Sequence, residues 1–257
     1  MSTKAILYDS TLCVGCRACE EACSRKWGLP YDQAIASEER LSERKLTTIV
    51  TRGDHYARRL CMHCVEPTCV SVCPVGALQK TSLGPVVYDE ERCMGCRYCM
   101  FACPFEVPVY QWSQVLPKVR KCDMCYARQV SGKPTACSEA CPTGATFTGE
   151  REAVIREARR RLEKSPEHYD GRIFGLADAG GTSVFFLSAV PLEQFGFPTG
   201  LPQEPLPMLT RRALSFVPDV AGVGSILLGG IYWITHRREE VAAVEGCSGR
   251  TAGKSHE

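Results

Sequence analysis

The sequence predicts an α+β fold, with two interleaved modules built around cysteines and one long apolar helix after them. Three features carry that expectation. Sixteen of the seventeen cysteines fall into four groups of four, the groups repeat nearly the same spacing, and residues 213–235 form an almost uncharged run. Internal repetition of this kind fixes organisation before any secondary-structure propensity is weighed. With 257 residues and 44% apolar side chains, the chain can bury one large core or two small ones. Acids and bases are mixed along it at a net charge of +2, so it lacks the concentrated basic face that nucleic acid would require.

Met1 to Tyr8 reads as a short strand leading straight into the first group, Cys13-x2-Cys16-x2-Cys19-x3-Cys23. This opening has no apolar signal core, cleavage site or twin arginine, so export would need a signal-bearing partner. The second group is Cys61-x2-Cys64-x4-Cys69-x3-Cys73-Pro74 and the third is Cys93-x2-Cys96-x2-Cys99-x3-Cys103-Pro104. Val86-Val87-Tyr88, between them, looks like a strand. The fourth group is Cys122-x2-Cys125-x11-Cys137-x3-Cys141-Pro142. Cysteines bunched in this way do not suit a disulfide framework, which scatters them through a small secreted chain.

The first and third groups match the run that binds cubane [4Fe–4S] clusters in two-cluster bacterial ferredoxins, where the fourth cysteine serves the other cluster. Three cysteines on a tight loop wrap three corners of a cubane, with loop N–H groups turned toward its sulfurs. The fourth lies too far along the chain and reaches a neighbour instead. Pro74, Pro104 and Pro142 fix φ after it, and Ser24 takes that place in the first group. The groups must therefore pair. The second and third are adjacent, giving site C (Cys61, Cys64, Cys69, Cys103) and site D (Cys93, Cys96, Cys99, Cys73). By elimination the first and fourth pair across the chain, giving site A (Cys13, Cys16, Cys19, Cys141) and site B (Cys122, Cys125, Cys137, Cys23). The expected fold class is thus two interleaved ferredoxin-like 2[4Fe–4S] modules plus a C-terminal single transmembrane helix, with four [4Fe–4S] clusters as cofactors.

Blander readings exist for the same residues. Zinc suits isolated Cys-x2-Cys pairs but rarely uses consecutive x2, x2 and x3 spacings. His63 has no ligand position left once sixteen cysteines are counted, which leaves packing or a hydrogen bond beside a cluster. Cys247 stands alone in a polar tail as a free thiol. Arg17, Arg97 and Lys121 either raise a neighbouring cluster potential or are plain surface charge. No open metal position, nucleotide loop or nucleophile constellation suggests bond chemistry.

After Cys141-Pro142, Glu150 to Lys164 reads as an amphipathic helix with Val154, Ile155, Ala158 and Leu162 at helical spacing. Its arginine run is expected to form a solvated face. Pro191 to Pro207 is rich in proline and reads as an extended strap. Ala213 to Thr235 approaches the ~20 residues that cross a bilayer. Pro218 and Asp219 count against a span there, while Tyr232 and Trp233 suit an interfacial belt. The domain boundaries follow. Residues 1–60 and 111–149 are the halves of an outer module and 61–110 is the inserted one. Residues 150–210 form helix and strap, 211–238 the membrane anchor and 239–257 a polar tail.

Cys61-Met62-His63-Cys64, the run from Cys73 to Leu78, the run from Gly95 to Phe105 and Cys141-Pro142-Thr143-Gly144-Ala145 resemble the dimethyl sulfoxide reductase B-subunit family. The resemblance covers roughly residues 5–200. Gly180 to Ser188 and the single apolar segment look closest to the HybA-type subunit of quinone-linked [NiFe] hydrogenases and to formate dehydrogenase β subunits. It implies a non-catalytic electron-transfer subunit of a respiratory complex. Its partners would be a catalytic subunit, favoured as a [NiFe] hydrogenase over a molybdopterin enzyme such as formate dehydrogenase, an integral membrane quinone-reactive subunit, and membrane lipid. The implied location is the bacterial inner membrane, single-pass, with the cluster domain in the periplasm and co-exported with a signal-bearing partner. Two bases before the apolar segment (Arg211, Arg212) against four after it (Arg237, Arg238, Arg250, Lys254) agree with that orientation. The alternative of another class is a zinc-binding structural subunit that only bridges its partners.

Overall fold

The computed structural model describes residues 2–198 and 200–251, with side chains as far as residue 243. Two compact units result, Met1–Pro207 and Met208–Glu257. The strands of the first are β1 (Lys4–Asp9), β2 (Thr48–Arg52), β3 (His55–Arg59), β4 (Leu78–Lys80), β5 (Val86–Tyr88), β6 (Val109–Tyr110), β7 (Val119–Arg120), β8 (Thr146–Glu150) and β9 (Val184–Leu187). Its helices are α1 (Ala18–Trp27), α2 (Thr68–Ser71), α3 (Tyr98–Phe101), α4 (Tyr126–Val130), α5 (Ala136–Glu139) and α6 (Arg151–Lys164).

The only sheet of three strands among the described residues has the order β8-β1-β9. β1 runs antiparallel to β8 with Leu7 opposite Phe147, and parallel to β9 with Leu7 opposite Phe185. Packing covers both faces of this sheet, so β1 and β9 read as near-continuous apolar runs and show no alternation. On one face, Ala5, Leu7, Phe185 and Leu187 meet Val154, Ile155 and Ala158 of α6. These are three of the four apolar positions the helical spacing singled out. Helix and sheet are also tied by charge. The buried Asp9 carboxylate accepts from Arg161 at 2.9 Å and from the Tyr169 hydroxyl at 3.0 Å. The arginine run is therefore not wholly solvated.

On the other face, Tyr8 and Phe186 enter an aromatic cluster with Phe105, Phe174 and Phe197, whose ring centroids lie 5.1–6.2 Å apart. Each such pair contributes about 0.5–1.5 kcal/mol beyond its buried area. Phe195 and Phe197 reach this core from the proline-rich stretch after Pro191. That stretch is therefore anchored and partly turned, with a 3-10 turn over Leu192–Phe195, and is no simple extended strap.

The remaining strands form two-stranded ribbons, β2-β3, β4-β5 and β6-β7. They separate the four cysteine groups in chain order. Val86–Tyr88 is a strand, as its sequence suggests.

The second unit is helical. α7 (Leu206–Ser215) and α8 (Val217–Thr251) follow each other with a break at Phe216. Pro218 falls in the first turn of α8, where a missing N–H costs nothing, so it starts this helix and does not interrupt it. Leu206–Ala243 is long and apolar enough to cross a membrane by length and composition. The helix extends past residue 238 into the expected polar tail. The side chain of Cys247 lies outside the described residues.

Candidate metal centres

All four groups share one local conformation. The residue just before the second cysteine (Gly15, His63, Gly95, Met124) has φ of +68°, +49°, +74° and +54°. Glycine takes this region freely. His63 and Met124 hold it at a cost of about 1–3 kcal/mol that the surrounding fold must offset. A left-handed residue turns successive N–H groups inward, toward an anionic centre. Gly95 N–H donates to Cys93 Sγ at 3.4 Å, Met124 N–H to Cys122 Sγ at 3.3 Å and Ala136 N–H to Cys125 Sγ at 3.4 Å.

A second recurrence follows the fourth cysteine. In the three Cys-Pro groups, Gly76, Glu106 and Gly144 have positive φ and donate back to the cysteine carbonyl at 3.1–3.4 Å. Ala77 N–H then reaches Cys73 Sγ at 3.2 Å and Thr146 N–H reaches Cys141 Sγ at 3.5 Å. The first group, with Ser24 in place of proline, does not turn. α1 instead continues through Cys23 to Trp27.

The cysteines converge as follows. Cys13, Cys16, Cys19 and Cys141 line one cavity, with Tyr8, Arg17 and Thr146. Cys23, Cys122, Cys125 and Cys137 line a second, with Arg58. Cys73, Cys93, Cys96 and Cys99 line a third. The thiol of Cys64 lies in electrostatic reach of Cys61, Cys69 and Cys103. The third and fourth cysteines of all four groups, four residues apart, thus lie among different neighbours. Adjacent sets are close as well, for Cys19 feels Cys137, Cys122 feels Cys61, and Cys69 feels Cys99.

These cavities fit an iron–sulfur cube and not a lone ion. Four thiols and inward N–H donors surround each of the three cavities, yet among the described residues no three Cys, His, Asp or Glu side chains converge on a single metal ion. Zinc's tetrahedral ligands would have to close on one point, and these side chains do not. Burial pushes the thiols of Cys19 and Cys23 up to about 12 and that of Cys122 well above its ordinary range. Bare thiols here would stay neutral, and a cationic iron core is what draws out thiolates. At Cys93 and Cys141 burial acts the same way but is outweighed, by the Tyr88 hydroxyl and Gly95 N–H at one and the Thr146 N–H at the other.

His63 is no ligand. Its Nδ1 accepts the Val86 N–H at 2.9 Å, which puts the ring proton on a buried Nε2. Burial, then Lys121 and Lys80, hold this imidazole neutral. Of the three basic residues marked in the sequence, Arg97 is stacked over Tyr110 and Trp112 at the surface. Arg17 is buried but committed to Glu20 at 2.8 Å. Lys121 is 5% exposed and donates to the carbonyls of Val86 and Cys122. Two further cations carry no signal in the sequence. Arg58 is 1% exposed, and Lys80 donates to the carbonyls of His63 and Cys64. No motif marks them, since only the fold brings them among the thiols.

Comparison with known proteins agrees with this chemistry. A family described as a 4Fe-4S dicluster domain matches residues 52–151, and another of the same description matches residues 12–77. Hydrogenase-2 operon protein HybA of Escherichia coli O157:H7 is 35% identical over 237 residues, covering 75% of this chain and 72% of the relative. This protein belongs to the iron–sulfur B-subunit family. Other members are the formate dehydrogenase-O iron–sulfur subunit of Escherichia coli K12, 34% identical over 200 residues (71% of this chain, 66% of the relative), and the B subunit of anaerobic dimethyl sulfoxide reductase of Haemophilus influenzae, 35% identical over 151 residues (55% and 71%). A member of this family with two dicluster domains carries four [4Fe–4S] clusters and acts as an iron–sulfur electron-transfer subunit. The match over 12–77 spans the first and second groups, but the cavities do not pair them, since Cys73 sits with the third group and Cys141 with the first.

Proposed function

We propose that the chain conducts single electrons through four clusters in the order A, B, C, D, between a catalytic subunit and a quinone-reactive membrane subunit. The ligand sets are those the cysteine spacing predicts. Site A uses Cys13, Cys16, Cys19 and Cys141, and site B uses Cys122, Cys125, Cys137 and Cys23. Site C uses Cys61, Cys64, Cys69 and Cys103, and site D uses Cys93, Cys96, Cys99 and Cys73. The outer module (1–60 and 111–149) is then interrupted by the inserted one (61–110), and the helix and strap of residues 150–210 follow, with α6 packed onto the sheet. The observation that carries this reading is the serial closeness of thiols, Cys19 to Cys137, Cys122 to Cys61 and Cys69 to Cys99.

The bound clusters supply one-electron redox chemistry. The chain's own residues do the rest. Thiolates fix each cluster, backbone N–H groups donate to their sulfurs and raise the potential, and the apolar core excludes water. Nothing in the chain needs to make or break a substrate bond. Both ends of the order expose apolar side chains suited to partner contact, with Val14 at one end and Met94, Tyr98 and Phe101 at the other.

A [NiFe] hydrogenase is the favoured catalytic partner, supported by 35% identity with HybA over 75% of this chain, against 34% over 71% and 30% over 78% for two formate dehydrogenase iron–sulfur subunits. A formate dehydrogenase or another molybdopterin enzyme is the second reading, supported by a nearly equal identity of 34%. Residues 211–238 anchor the complex in the bacterial inner membrane, with the cluster domain periplasmic and exported on a signal-bearing partner. The apolar length and flanking charges support this.

The relay is tested by Cys96→Ser and Cys125→Ser in the assembled complex. Electron flow to quinone is expected to fall at least tenfold, while substrate oxidation with a dye reduced at the catalytic subunit survives. Equal loss in both assays would contradict a conduit role.

A further inference from the structure

Arg58 sits where no stability argument alone would put it. Its guanidinium is 1% exposed on β3, and among the described residues no carboxylate lies within ion-pair distance of it. A buried charge without a partner is strongly destabilising, so a counter-charge must exist. The side chain is fixed on two sides. Nε donates to Thr47 Oγ1 at 2.8 Å and an Nη to Thr146 Oγ1 at 3.3 Å. Thr146 lines the cavity of Cys13, Cys16, Cys19 and Cys141, while Arg58 itself lines the cavity of Cys23, Cys122, Cys125 and Cys137. The guanidinium therefore lies between the two. Cys19 of one cavity and Cys137 of the other are both among its neighbours. The adjacent arginine shows the contrast, for Arg59 is part-exposed and spends its donors on the carbonyls of Gly196 and Phe105.

We infer that Arg58 is the shared counter-cation of the clusters at sites A and B, a positioning residue that holds both potentials up. A fixed positive charge favours the more negative, reduced state of each neighbouring cluster, and burial leaves the field unscreened by water. Two potentials raised by the same group move together, so Arg58 shifts the A–B pair against the C–D pair and leaves the A-to-B step unchanged. Lys121 and Lys80 lie among the thiols of the B–C side and do not take this place.

This inference rests on the ligand grouping proposed above, and the test separates the two. Potentials are read by redox titration with electron paramagnetic resonance on the complete complex, with signals assigned through Cys16→Ala, Cys125→Ala, Cys64→Ala and Cys96→Ala. In Arg58→Met, the equilibrium constants for reduction at A and B fall at least tenfold, about 59 mV downward each for a one-electron couple, while C and D stay within threefold. Arg58→Lys, which keeps the charge, stays near the parent. If Arg58→Met assembles poorly, iron content decides. Loss confined to the A and B signals and restored by lysine supports the inference. Loss of all four signals, or an equally defective lysine variant, overturns it, as do four clusters at unchanged potentials. A shift at A or B paired with C or D would leave Arg58 charged with a role but show the ligand grouping to be wrong.

Discussion

In the proposed grouping, sites A and B draw their cysteines from the two ends of residues 13–141, whereas sites C and D draw theirs from residues 61–103 alone. The scaffolds differ accordingly. Around A and B stand the β8-β1-β9 sheet, α6 and the aromatic cluster of Phe105, Phe174, Phe186 and Phe197. Site C shares this core through Cys61, Cys64 and Cys103, whereas around D stand the two-stranded ribbons β4-β5 and β6-β7 with a small cluster of Leu78, Val86, Cys99 and Val119. Closing a long loop costs more chain entropy than closing a short one, and buried apolar area offsets it. The pair of sites that reaches farthest along the chain therefore lies wholly against the larger core. The local pair meets it only through C, and the D side exposes Met94, Tyr98 and Phe101 at its surface.

Removing iron should separate the two regions most sharply. With a chelator under reducing conditions, residues 61–110 are expected to lose amide protection almost entirely, because ligation supplies most of their folding energy. β1, β8, β9 and α6 should retain measurable protection from their own core. Hydrogen exchange read segment by segment checks this, and equal loss in both regions would erase the distinction. Core truncation gives the smaller effect. Phe186→Ala, fully buried in the aromatic cluster, is expected to cost about 3–5 kcal/mol. Val86→Ala, in the small cluster, is expected to cost about 2 kcal/mol. Denaturant titration of the loaded chain orders the two, and the reverse order would mean that the C–D region carries the stability.

Much of this was legible in the residues. Cysteine spacing gave the repeat, Val86–Tyr88 gave a strand, and Val154, Ile155 and Ala158 gave the buried face of α6. Other features were hidden for physical reasons. Ser24 looked like a trivial departure from proline, yet restoring an N–H allowed α1 to run on through Cys23. Phe195 and Phe197 sit in a proline-rich stretch without periodicity, so nothing marked them as core anchors. Arg58 and Lys80 are polar in sequence and buried only by tertiary contact. Their neighbours along the chain carry no trace of the thiols around them. Pro218 argued against a long helix on composition but occupies the one turn that tolerates it.

The crossing of distant cysteines underlies every assignment above, and a comparison of Cys16→Ala with Cys141→Ala tests it most directly. In the complete complex, both substitutions should abolish or alter the same paramagnetic signal and leave the signal lost in Cys125→Ala intact. If Cys141→Ala instead removed the signal that depends on Cys125, the fourth group would be serving its own cluster and the crossed arrangement would be contradicted.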